Sequence, residues 1–391
     1  MHIFFSVGEP SGDLHASKLI RELQARAGDF RASGLGGPLM AEAGCHVRFR
    51  LTDYAVMGVL QVLPLLWTFY RLLGQVRVWM QQDPPDAVVL VDYPGFNWWV
   101  ARCARKRGIP VYYHMPPQLW AWGSWRVRKM RRLVDLALCG LPFEHQWYNA
   151  RGVPSVHVGH PFFDEVTERR LDQSFIEEHR ELAGPAPIVA ILPGSRGYEI
   201  ALNFPIQLEI MQRLHARFPQ ARFLVANYKD AQRTTCERLY HELGQPLPVE
   251  FFVGRTSEIL EASRVCLMVS GSVSLEVLAR RRPAVVLYRV GLFNRVLGQL
   301  LITCRYISLP NLVADRVVMP EFVLIRREPS AVTAMTNQLA SWLDDPVAHA
   351  CKVAELDALA SDISAPGATE RAAEAILRQM GRTVQAGQRA A

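Results

Sequence analysis

The sequence predicts an α/β protein made of two Rossmann-like domains, each a doubly wound parallel sheet, that face each other across a central cleft. Three observations favour this architecture. Short apolar runs ending in Gly or Pro alternate with longer amphipathic stretches, as in parallel βαβ units. The chain has 391 residues, about twice the usual domain length, so two separate cores are expected. Polar motifs follow the apolar runs, at the sheet edge where open α/β sheets bind ligands.

Composition and charge are those of a globular enzyme with anionic partners. Hydrophobic residues make up 50% of the chain and charged residues 21%, which is enough apolar surface to offset the chain entropy lost on folding. The formal charge of +7 favours phosphates, nucleotides or acidic lipid surfaces as partners. The seven cysteines form no CxxC pair, so neither a disulfide framework nor a thiolate metal site is predicted, and a reducing cytoplasm is the simplest location.

The predicted strands fall into two sets along the chain. In the first half they cover residues 2–7, 31–34, 87–92, 110–113, 136–139 and 155–158. In the second half they cover residues 187–192, 222–226, 249–253, 265–269 and 284–288. A charged stretch that closes with Gly and Pro separates the sets, so we assign residues 1–165 to the first domain and 166–365 to the second. A helix is predicted at 366–380, and the sequence leaves open whether this helix packs back on the first domain. Residues 382–391 are predicted to be a flexible tail.

Residues 56–80 are the most hydrophobic segment of the chain. Pro64 and several polar residues interrupt them, so the segment falls short of the roughly 20 apolar residues that a membrane-spanning helix needs. Two interpretations remain open: a surface that touches the membrane, or a helix buried in the core of the first domain. The membrane interpretation uses Leu63, Leu66, Trp67, Phe69 and Leu72.

The motif LPGSRGYE, residues 192–199, follows a predicted strand and has the composition of an anion-binding turn. Gly194 lets the backbone turn sharply, and Arg196 offers a planar cation suited to phosphate oxygens. The free amides of the helix predicted to begin near residue 198 also attract phosphate. The alternative is an ordinary helix start, in which Ser195 caps the amides and Arg196 is solvated.

A second motif of this kind, SGSVSLE, covers residues 270–276 and follows another predicted strand. Its first three residues combine small side chains with open amides: Ser270, Gly271 and Ser272. The carboxylate of Glu276 suits the two hydroxyls of a ribose. An ordinary cap with a Glu near the helix start explains the same pattern. Further on, Asn311 in ISLPN and Glu321 in MPEF lie in predicted loops, where either contact with a sugar or base or simple turn formation explains them.

Two motifs in the first half supply polar groups for the opposite wall of the cleft. The loop GEPSGD, residues 8–13, does not match GxGxxG, so a nicotinamide site is not supported, but its side chains suit a polar substrate. In VDYPGFN, residues 91–97, Asp92 ends a fully apolar predicted strand. A carboxylate at the mouth of a water-poor cleft has a raised proton affinity, and we assign Asp92 the role of general base. The alternative is an Asp that caps a local turn.

The segment YHMPPQLWAWGSW, residues 113–125, is rich in Trp and Pro. Such a segment either plugs a core or presents a platform for sugar and acyl groups. His114 within it is a candidate catalytic residue, although a lone His is more often structural. Basic residues follow at positions 126, 128, 129, 131 and 132, and they form either a solvated helix face or a site for anionic lipid headgroups.

Taken in order, these motifs resemble the lipid-A-disaccharide synthase family, bacterial inverting glycosyltransferases of GT-B architecture. The resemblance covers about residues 1–325 and depends on GEPSGDLHAS, GLGGPLMAEAG, AVMGVLQVL, VDYPGFN, PQLWAW, LPFE, VGHP, LPGSR, SGSVSLE, ISLPN and MPEF. Each motif alone is weak, whereas the ordered set with its spacing is specific.

The resemblance implies transfer of 2,3-diacylglucosamine from UDP-2,3-diacylglucosamine to the 6-hydroxyl of 2,3-diacylglucosamine 1-phosphate (lipid X), which forms a β-1,6-linked disaccharide and UDP. It implies no metal or other cofactor, no nucleic-acid partner, and a peripheral location on the cytoplasmic face of the inner membrane. Asp92 matches the family's base. The UDP-binding positions would be Gly194, Ser195, Arg196, Ser270, Gly271, Ser272, Glu276 and Asn311. The acceptor side of the cleft would include Glu9, Ser11, Asp13, Asn97 and Gln118.

Several positions depart from the family pattern, namely Leu39, Gln61, His114 and Val323. They leave acyl-chain preference open and do not involve Asp92 or Arg196. The sequence does not indicate an oligomeric state.

Two other functions are compatible with parts of the sequence. A sugar-nucleotide epimerase, or another GT-B transferase with a soluble or polyprenyl-linked acceptor, would share the UDP loops. A non-catalytic sensor of a sugar nucleotide or lipid would share them too, but it would have no use for a carboxylate on the acceptor side.

Overall fold

The computed structural model describes residues 1–54, 65–290, 304–363 and 366–381. The chain forms two compact units, which we call the first and second domains. The first comprises Met1–Asp164 together with the last helix, and the second begins at Glu165 and ends with the helix before it. Each contains a parallel sheet flanked by helices.

The strands of the first sheet are β1 (His2–Val7), β2 (Arg31–Gly36), β3 (His46–Arg50), β4 (Ala87–Val91), β5 (Val111–His114), β6 (Leu136–Cys139) and β7 (Ser155–His157). Those of the second are β8 (Ile188–Leu192), β9 (Arg222–Asn227), β10 (Val249–Val253), β11 (Val265–Val269), β12 (Ala284–Arg289) and β13 (Glu321–Leu324). All neighbouring strands run parallel, which is why helices rather than tight hairpins connect them.

The described helices before the second sheet are α1 (Pro10–Arg26), α2 (Pro38–Glu42), α3 (Leu66–Gln82), α4 (Pro94–Arg105), α5 (Val127–Leu133), α6 (Pro142–Asn149), α7 (Pro161–Glu168) and α8 (Gln173–Ala183). The later ones are α9 (Gly197–Arg217), α10 (Asp230–Glu242), α11 (Thr256–Ala262), α12 (Val273–Ala279), α13 (Leu309–Ala314), α14 (Pro329–Asp344), α15 (Pro346–Ile363) and α16 (Ala368–Gln379). Pro stands in the first turn of several of them, where its missing N–H would have no helical partner.

The strand order of each sheet determines where a ligand can bind. The first sheet has the order β3-β2-β1-β4-β5-β6-β7, and the second β10-β9-β8-β11-β12-β13. The direction of winding therefore reverses between β1 and β4 in the first sheet, and between β8 and β11 in the second. At such a switch point the connections leave toward opposite faces, so a crevice opens at the carboxyl ends of the two strands.

The central strands of both sheets are buried on their two faces, which accounts for their unbroken apolar runs. Every residue of the central strands β1, β4, β8 and β11 is buried. On one face of the first sheet, Phe4 packs into a core with side chains of α3 and α4. On the other face, Phe5 packs with α1 and with α16, which contributes Ile376 and Leu377. The last helix therefore completes the core of the first domain.

Every predicted strand is present, and the predicted fold class is confirmed. Two strands were missed, β3 and β13, and both lie at a sheet edge. The sequence of β3, HVRFR, alternates polar and apolar residues and none of them is fully buried, so it lacks the apolar run of a central strand. β13 has four residues, and the sequence places it in a predicted loop, MPEF. The structure corrects that loop to an edge strand.

The hydrophobic segment 56–80 is only partly described, because Gln61 and Leu63 fall outside the described residues. Its later part belongs to α3, which buries Leu72 against the core of the first domain, while Phe69 is partly buried against Phe96 at a ring distance of 5.6 Å. At the start of the same helix, Leu66 and Trp67 are exposed, at 53% and 64%. One helix thus has a core face and an apolar exposed end. Among the helices that the structure describes, none is long and apolar enough to cross a membrane.

Asp164 anchors the last helix at the point where the chain leaves the first domain. Its buried carboxylate accepts hydrogen bonds from the backbone amides of Gly367 at 2.8 Å, Ala368 at 3.3 Å and Thr369 at 3.2 Å. These amides belong to the first turn of α16, where helical partners are missing. Arg371 adds a hydrogen bond from its Nε to the carbonyl oxygen of Val158 at 2.8 Å.

We expect Asp164→Ala to lower the free energy of unfolding by about 1–2 kcal/mol, because three amides of the helix start lose their acceptor. Urea denaturation measures the change. The matched control is Asp362→Ala, since Asp362 is exposed near the end of α15 and its removal should alter stability by no more than about 0.5 kcal/mol. Equal stability of the two variants would contradict the capping role.

Candidate active site

The loops with the predicted functional residues lie at the two switch points. In the first sheet, GEPSGD follows β1 and DYPGFN follows β4. In the second sheet, LPGSR follows β8 and SGSVSLE follows β11. Since parallel strands end at the same edge, each pair of loops is brought together within its own domain. The sequence order alone does not show this, because β2 and β3 separate the first pair along the chain.

Asp92 begins the loop after β4 in an unusual backbone conformation. Its φ is +43°, and the φ of the following Tyr93 is +46°. Residues with a Cβ seldom adopt this left-handed region, so the surroundings must hold it. The carbonyl oxygen of Asp92 accepts hydrogen bonds from the Tyr113 hydroxyl and from Nδ2 of Asn97, both at 2.7 Å. The side chain of Asp92 remains partly exposed to solvent.

The environment of Asp92 suits a group that accepts a proton. Burial raises the pKa of its carboxyl group above the usual range, while a hydrogen bond from the Tyr93 amide and the nearby His15 pull that pKa down in part. His15 in turn lies edge-on to His160, with ring centroids 6.4 Å apart. His114 is 1% exposed, and burial lowers its pKa to about 3, so it is neutral near pH 7 and inaccessible. The structure therefore favours the structural interpretation of His114.

Asp13 of the GEPSGD loop supports a neighbouring loop. Its carboxylate is 2% exposed and accepts hydrogen bonds from the backbone amides of Gly37 at 2.9 Å, Leu39 at 3.0 Å and Met40 at 3.2 Å. The carboxylate of Asp13 thus caps the start of α2, and its assignment to the acceptor side stays a prediction. Leu39 contributes its backbone amide to this contact, and every residue except proline has that group. The contact therefore does not require a particular side chain at position 39.

The remaining polar residues of that loop are accessible. Ser11 is exposed and Glu9 is partly exposed. Gly8 lies directly against the ring of Tyr93, and a Cβ at residue 8 would come within 2.2 Å of that ring. The loop after β1 and the loop after β4 are therefore in close contact, and a side chain larger than hydrogen at residue 8 would push them apart.

Asn97 also supports the loop that contains Asp92. It is fully buried and its Oδ1 accepts a hydrogen bond from the Ser6 hydroxyl at 2.7 Å. Its Nδ2 donates to the carbonyl oxygens of Ser6 and Asp92. The amide of Asn97 thus holds the end of β4, from which Asp92 follows, and its assignment to the acceptor surface stays a prediction.

A buried carboxylate holds the Trp- and Pro-rich segment 113–125. Glu144 accepts hydrogen bonds from Nε1 of Trp120 at 3.0 Å and from the backbone amide of Leu141 at 3.2 Å. Burial raises the pKa of Glu144 to about 7. Gln118 is exposed beside Trp120, and Trp122 is 47% exposed with the guanidinium of Arg126 lying 3.8 Å over its ring. The segment 113–125 is therefore buried in the core at Trp120, and at Trp122 it has an exposed aromatic surface next to the cation of Arg126.

In the second domain, the helix after LPGSR begins differently from the prediction. α9 starts at Gly197, and Arg196 rather than Ser195 is its N-cap residue. Oε2 of Glu199 accepts hydrogen bonds from the amides of Ser195 and Arg196, each at 3.2 Å. Oε1 of Glu199 lies 3.1 Å from Nη1 of Arg196. The buried carboxylate of Glu199 thus binds the backbone amides and the guanidinium that the sequence predicts to bind a phosphate.

The turn before this helix needs a glycine. Gly194 has a φ of +112°, which L side chains rarely adopt. A Cβ there would also come within 3.0 Å of the Cβ and Oε2 of Glu199. Ser195 and Arg196 are exposed, so the tip of the turn is accessible even though its amides are capped.

The SGSVSLE loop has an accessible tip and a buried base. Gly271 and Ser272 are exposed, and the Ser270 hydroxyl donates to the carbonyl oxygen of Ile307 at 2.7 Å. Glu276 is buried, and its Oε1 accepts hydrogen bonds from the Ser257 hydroxyl at 2.5 Å and from Nε of Arg280 at 3.1 Å. One oxygen of Glu276 is thus fixed from inside the domain, which orients the carboxylate at the start of α12.

Asn311 contributes to the fold of its own loop. Its side chain is fully buried, and Nδ2 donates to the Met319 carbonyl oxygen and to Oε1 of Glu321, both at 2.7 Å. Its Oδ1 accepts from the amides of Val318 and Met319, both at 2.8 Å. All four hydrogen-bonding positions of the amide are used inside the domain, and its assignment as a contact of UDP stays a prediction. Within the described residues, no group of three His, Cys, Asp or Glu side chains is arranged to hold a metal ion.

Comparison with known proteins identifies the family. A family model described as lipid-A-disaccharide synthetase matches residues 3–356. The lipid-A-disaccharide synthase of Anaeromyxobacter dehalogenans (strain 2CP-C) is 34% identical over 381 residues, which cover 97% of each chain. The chain belongs to the lipid-A-disaccharide synthase family. A second relative of that name, from Geobacter sulfurreducens, is 32% identical over 387 residues, or 98% of each chain. Membership of the lipid-A-disaccharide synthase family makes the chain a glycosyltransferase of lipid A biosynthesis.

Solved structures confirm the GT-B fold that is expected for a member of this family. The S. aureus MnaA-UDP co-structure has a TM-score of 0.67 and 12% identity, covering 99% of this chain and 100% of the other. The glycotransferase of kitacinnamycin has a TM-score of 0.60 and 18% identity, covering 97% and 98%. At such low identity the likeness concerns the fold alone.

The sequence did not predict a role for three residues that shape the candidate site. Glu199 stands three residues after the N-cap, and capping-box spacing is a signal that sequence reasoning can use. Tyr113 and Ser257 act on residues distant in the sequence, Asp92 and Glu276, and no local pattern indicates such contacts.

We expect Asp92→Asn to stabilise the protein at neutral pH. The folded pKa of Asp92 lies above the unfolded value, so the folded state binds the proton more readily and stability falls as pH rises through the window from about pH 4 to the raised folded pKa. The amide removes this penalty. Thermal unfolding should show a higher midpoint for the variant at pH 7.5, with a difference that disappears near pH 3.

Asp83→Asn provides a control of opposite sign. A hydrogen bond from Arg31 lowers the pKa of Asp83, so its carboxylate stabilises the fold at neutral pH and that stabilisation is lost as pH falls through the folded pKa. This variant should melt below the parent at pH 7.5. If Asp92→Asn melts below the parent as well, burial does not raise the pKa of Asp92.

Proposed function

We propose that the protein transfers 2,3-diacylglucosamine from UDP-2,3-diacylglucosamine to the 6-hydroxyl of 2,3-diacylglucosamine 1-phosphate, with inversion at the anomeric carbon. The observation that carries this proposal is the pairing of loops at both switch points. One pair contains an accessible carboxylate with a raised pKa, at Asp92, and the other contains an accessible guanidinium on a helix start, at Arg196. A base for an alcohol and a cation for a diphosphate are the two groups that this reaction requires.

In the proposed reaction Asp92 takes the proton of the acceptor hydroxyl. The hydroxyl oxygen forms a bond to the anomeric carbon of the donor as the bond from that carbon to the UDP oxygen breaks, and UDP leaves with the electron pair. Attack from the face opposite to UDP inverts the configuration, so one base is sufficient and no covalent enzyme intermediate is formed. The raised pKa of Asp92 improves its ability to accept the proton.

On the donor side, Arg196 would meet the charge that develops on the leaving diphosphate. Its present partner is the carboxylate of Glu199, which also holds the amides of the same turn. A bound diphosphate would compete with Glu199 for these donors, and charge-assisted bonds of this kind are strong. Glu276, with one oxygen fixed by Ser257 and Arg280, would present its other oxygen to the ribose.

The first test is the reaction itself. Purified protein is incubated with UDP-2,3-diacylglucosamine and the diacylglucosamine 1-phosphate, and disaccharide and UDP are measured. We expect Asp92→Asn to lower kcat by at least about 100-fold while UDP binding by calorimetry stays within about twofold, because general base catalysis contributes that much. Arg196→Ala should weaken UDP binding about tenfold or more. Arg238→Ala, at an exposed ion pair with Glu242, is the control for removing an arginine.

Two outcomes would contradict the proposal. Unchanged turnover in Asp92→Asn removes Asp92 from the reaction. Consumption of UDP-N-acetylglucosamine, offered in a mixture with UDP-diacylglucosamine, would favour an epimerase or another transferase, since the fold neighbours include enzymes named UDP-GlcNAc 2-epimerase.

We also propose that the protein attaches peripherally to the cytoplasmic face of the inner membrane through the start of α3. Both substrates carry acyl chains, so the site must reach lipid. Leu66 and Trp67 are exposed there, Tyr70 stacks beside Trp67, and the guanidinium of Arg71 lies 5.8 Å from the Trp67 ring. Apolar side chains next to a cation suit an anionic membrane surface.

We expect the double substitution Leu66→Ser and Trp67→Ser to lower binding to anionic vesicles by about 100-fold or more, because roughly 1.5–3 kcal/mol of burial is lost for each such side chain. Co-sedimentation with vesicles of phosphatidylglycerol and phosphatidylethanolamine measures it. Val347→Ser, at a valine that is 70% exposed in the second domain, is the control. Vesicle binding equal to that of the control would exclude this surface.

A further inference from the structure

The backbone at Asp92 is held in a conformation that its own sequence does not favour. Asp92 and Tyr93 are consecutive residues with Cβ atoms, and both have positive φ, at +43° and +46°. A side chain in this region crowds the following carbonyl group, so two such residues in succession are stable when other groups hold them there. The orientation of a residue's backbone also sets the direction in which its side chain leaves the chain.

Two buried donors meet at the carbonyl oxygen of Asp92. The Tyr113 hydroxyl and Nδ2 of Asn97 both donate to it at 2.7 Å, and both donor residues are 0% exposed. The amide of Asp92 donates at 3.4 Å to the carbonyl oxygen of His114, the residue after Tyr113. The peptide groups on both sides of the Asp92 α-carbon are thus tied to β5 or α4.

The two donors are themselves fixed. The Ser6 hydroxyl donates to Oδ1 of Asn97 at 2.7 Å, which sets the orientation of the amide, and Asn97 donates back to the Ser6 carbonyl oxygen at 3.2 Å. Tyr113 packs against Trp98, with ring centroids 5.9 Å apart. Groups from β5 and α4 therefore converge on one oxygen atom, and Ser6 of β1 orients one of them.

We propose that Tyr113, together with Asn97, is a positioning residue that holds Asp92 in its left-handed conformation and thereby aims its carboxylate at the acceptor hydroxyl. If the φ of Asp92 returned to an ordinary negative value, rotation about its N–Cα bond would turn the side chain and the carbonyl group together, so the carbonyl oxygen would leave both donors and the carboxylate would change direction. This inference rests on the proposed role of Asp92 as the base. It assigns Tyr113 no contact with either substrate.

The test compares two neighbouring tyrosines of β5. Tyr112 and Tyr113 are 1% and 0% exposed, and they belong to the cores on opposite faces of the sheet. Tyr113→Phe removes the hydroxyl that reaches Asp92, and Tyr112→Phe removes one for which no hydrogen bond is found among the described residues. We expect Tyr113→Phe to lower kcat by about 10- to 100-fold, with KM for both substrates and the affinity for UDP within about twofold of the parent. Tyr112→Phe should keep the parent kcat within about twofold.

A double-mutant cycle separates positioning from general support. If Tyr113 acts through Asp92, Tyr113→Phe lowers kcat in the parent but leaves the residual rate of Asp92→Asn unchanged. An equal loss in both backgrounds would overturn the inference, as would a kcat for Tyr113→Phe equal to that of Tyr112→Phe.

The outcomes for the inference and for the proposed function are distinct. An active Asp92→Asn variant would refute the function of Asp92 itself, whatever Tyr113→Phe does. An inactive Asp92→Asn together with an unimpaired Tyr113→Phe would leave the base in place and refute its positioning by Tyr113. Ser6→Ala removes the hydrogen bond that orients Asn97. We expect this variant to lower kcat by less than Tyr113→Phe does, again without a change in KM. An unchanged kcat would show that Ser6 has no part in positioning Asp92.

Discussion

The reversal of winding direction beside β1 and β8 is the constraint on which the rest of the structure depends. Right-handed crossovers carry the chain to one face of a sheet before the reversal and to the other face after it. Loops that are far apart in the sequence therefore end side by side at the carboxyl edge. Asp92 and the GEPSGD loop meet in this way, and the LPGSR and SGSVSLE loops follow the neighbouring strands β8 and β11. The topology therefore determines where each site lies.

The motif residues divide into those that hold a loop and those that a ligand can reach. Asp13, Asn97 and Asn311 have their polar atoms engaged with backbone and side-chain groups inside their own domains. Such residues are hard to replace, because a buried amide or carbonyl left without a partner is costly. Asp92 and Arg196 remain accessible among them. A motif in this family therefore combines a chemical group with the parts that keep its loop in shape.

The sequence was sufficient for the fold class, for every central strand and for the loops of the site, because buried parallel strands leave apolar runs and the loops follow them directly. It was insufficient for β3 and β13, since an edge strand shares neither the full burial nor the apolar composition of its neighbours. It also did not separate supporting residues from accessible ones. The contacts that decide this for Asp13 and Asn97 join positions many residues apart, and such pairing is a property of the folded chain.

The position of α16 has a consequence for the order in which the chain can fold during synthesis. Its apolar residues, including Ile376 and Leu377, are part of the core around α1, yet they emerge from the ribosome after the whole second domain. The second domain can close around its own core first, while the face of α1 that awaits this helix stays uncovered. The amino-terminal half of the protein is therefore the last part to be completed, and its nascent surface is the one for which a chaperone would be needed.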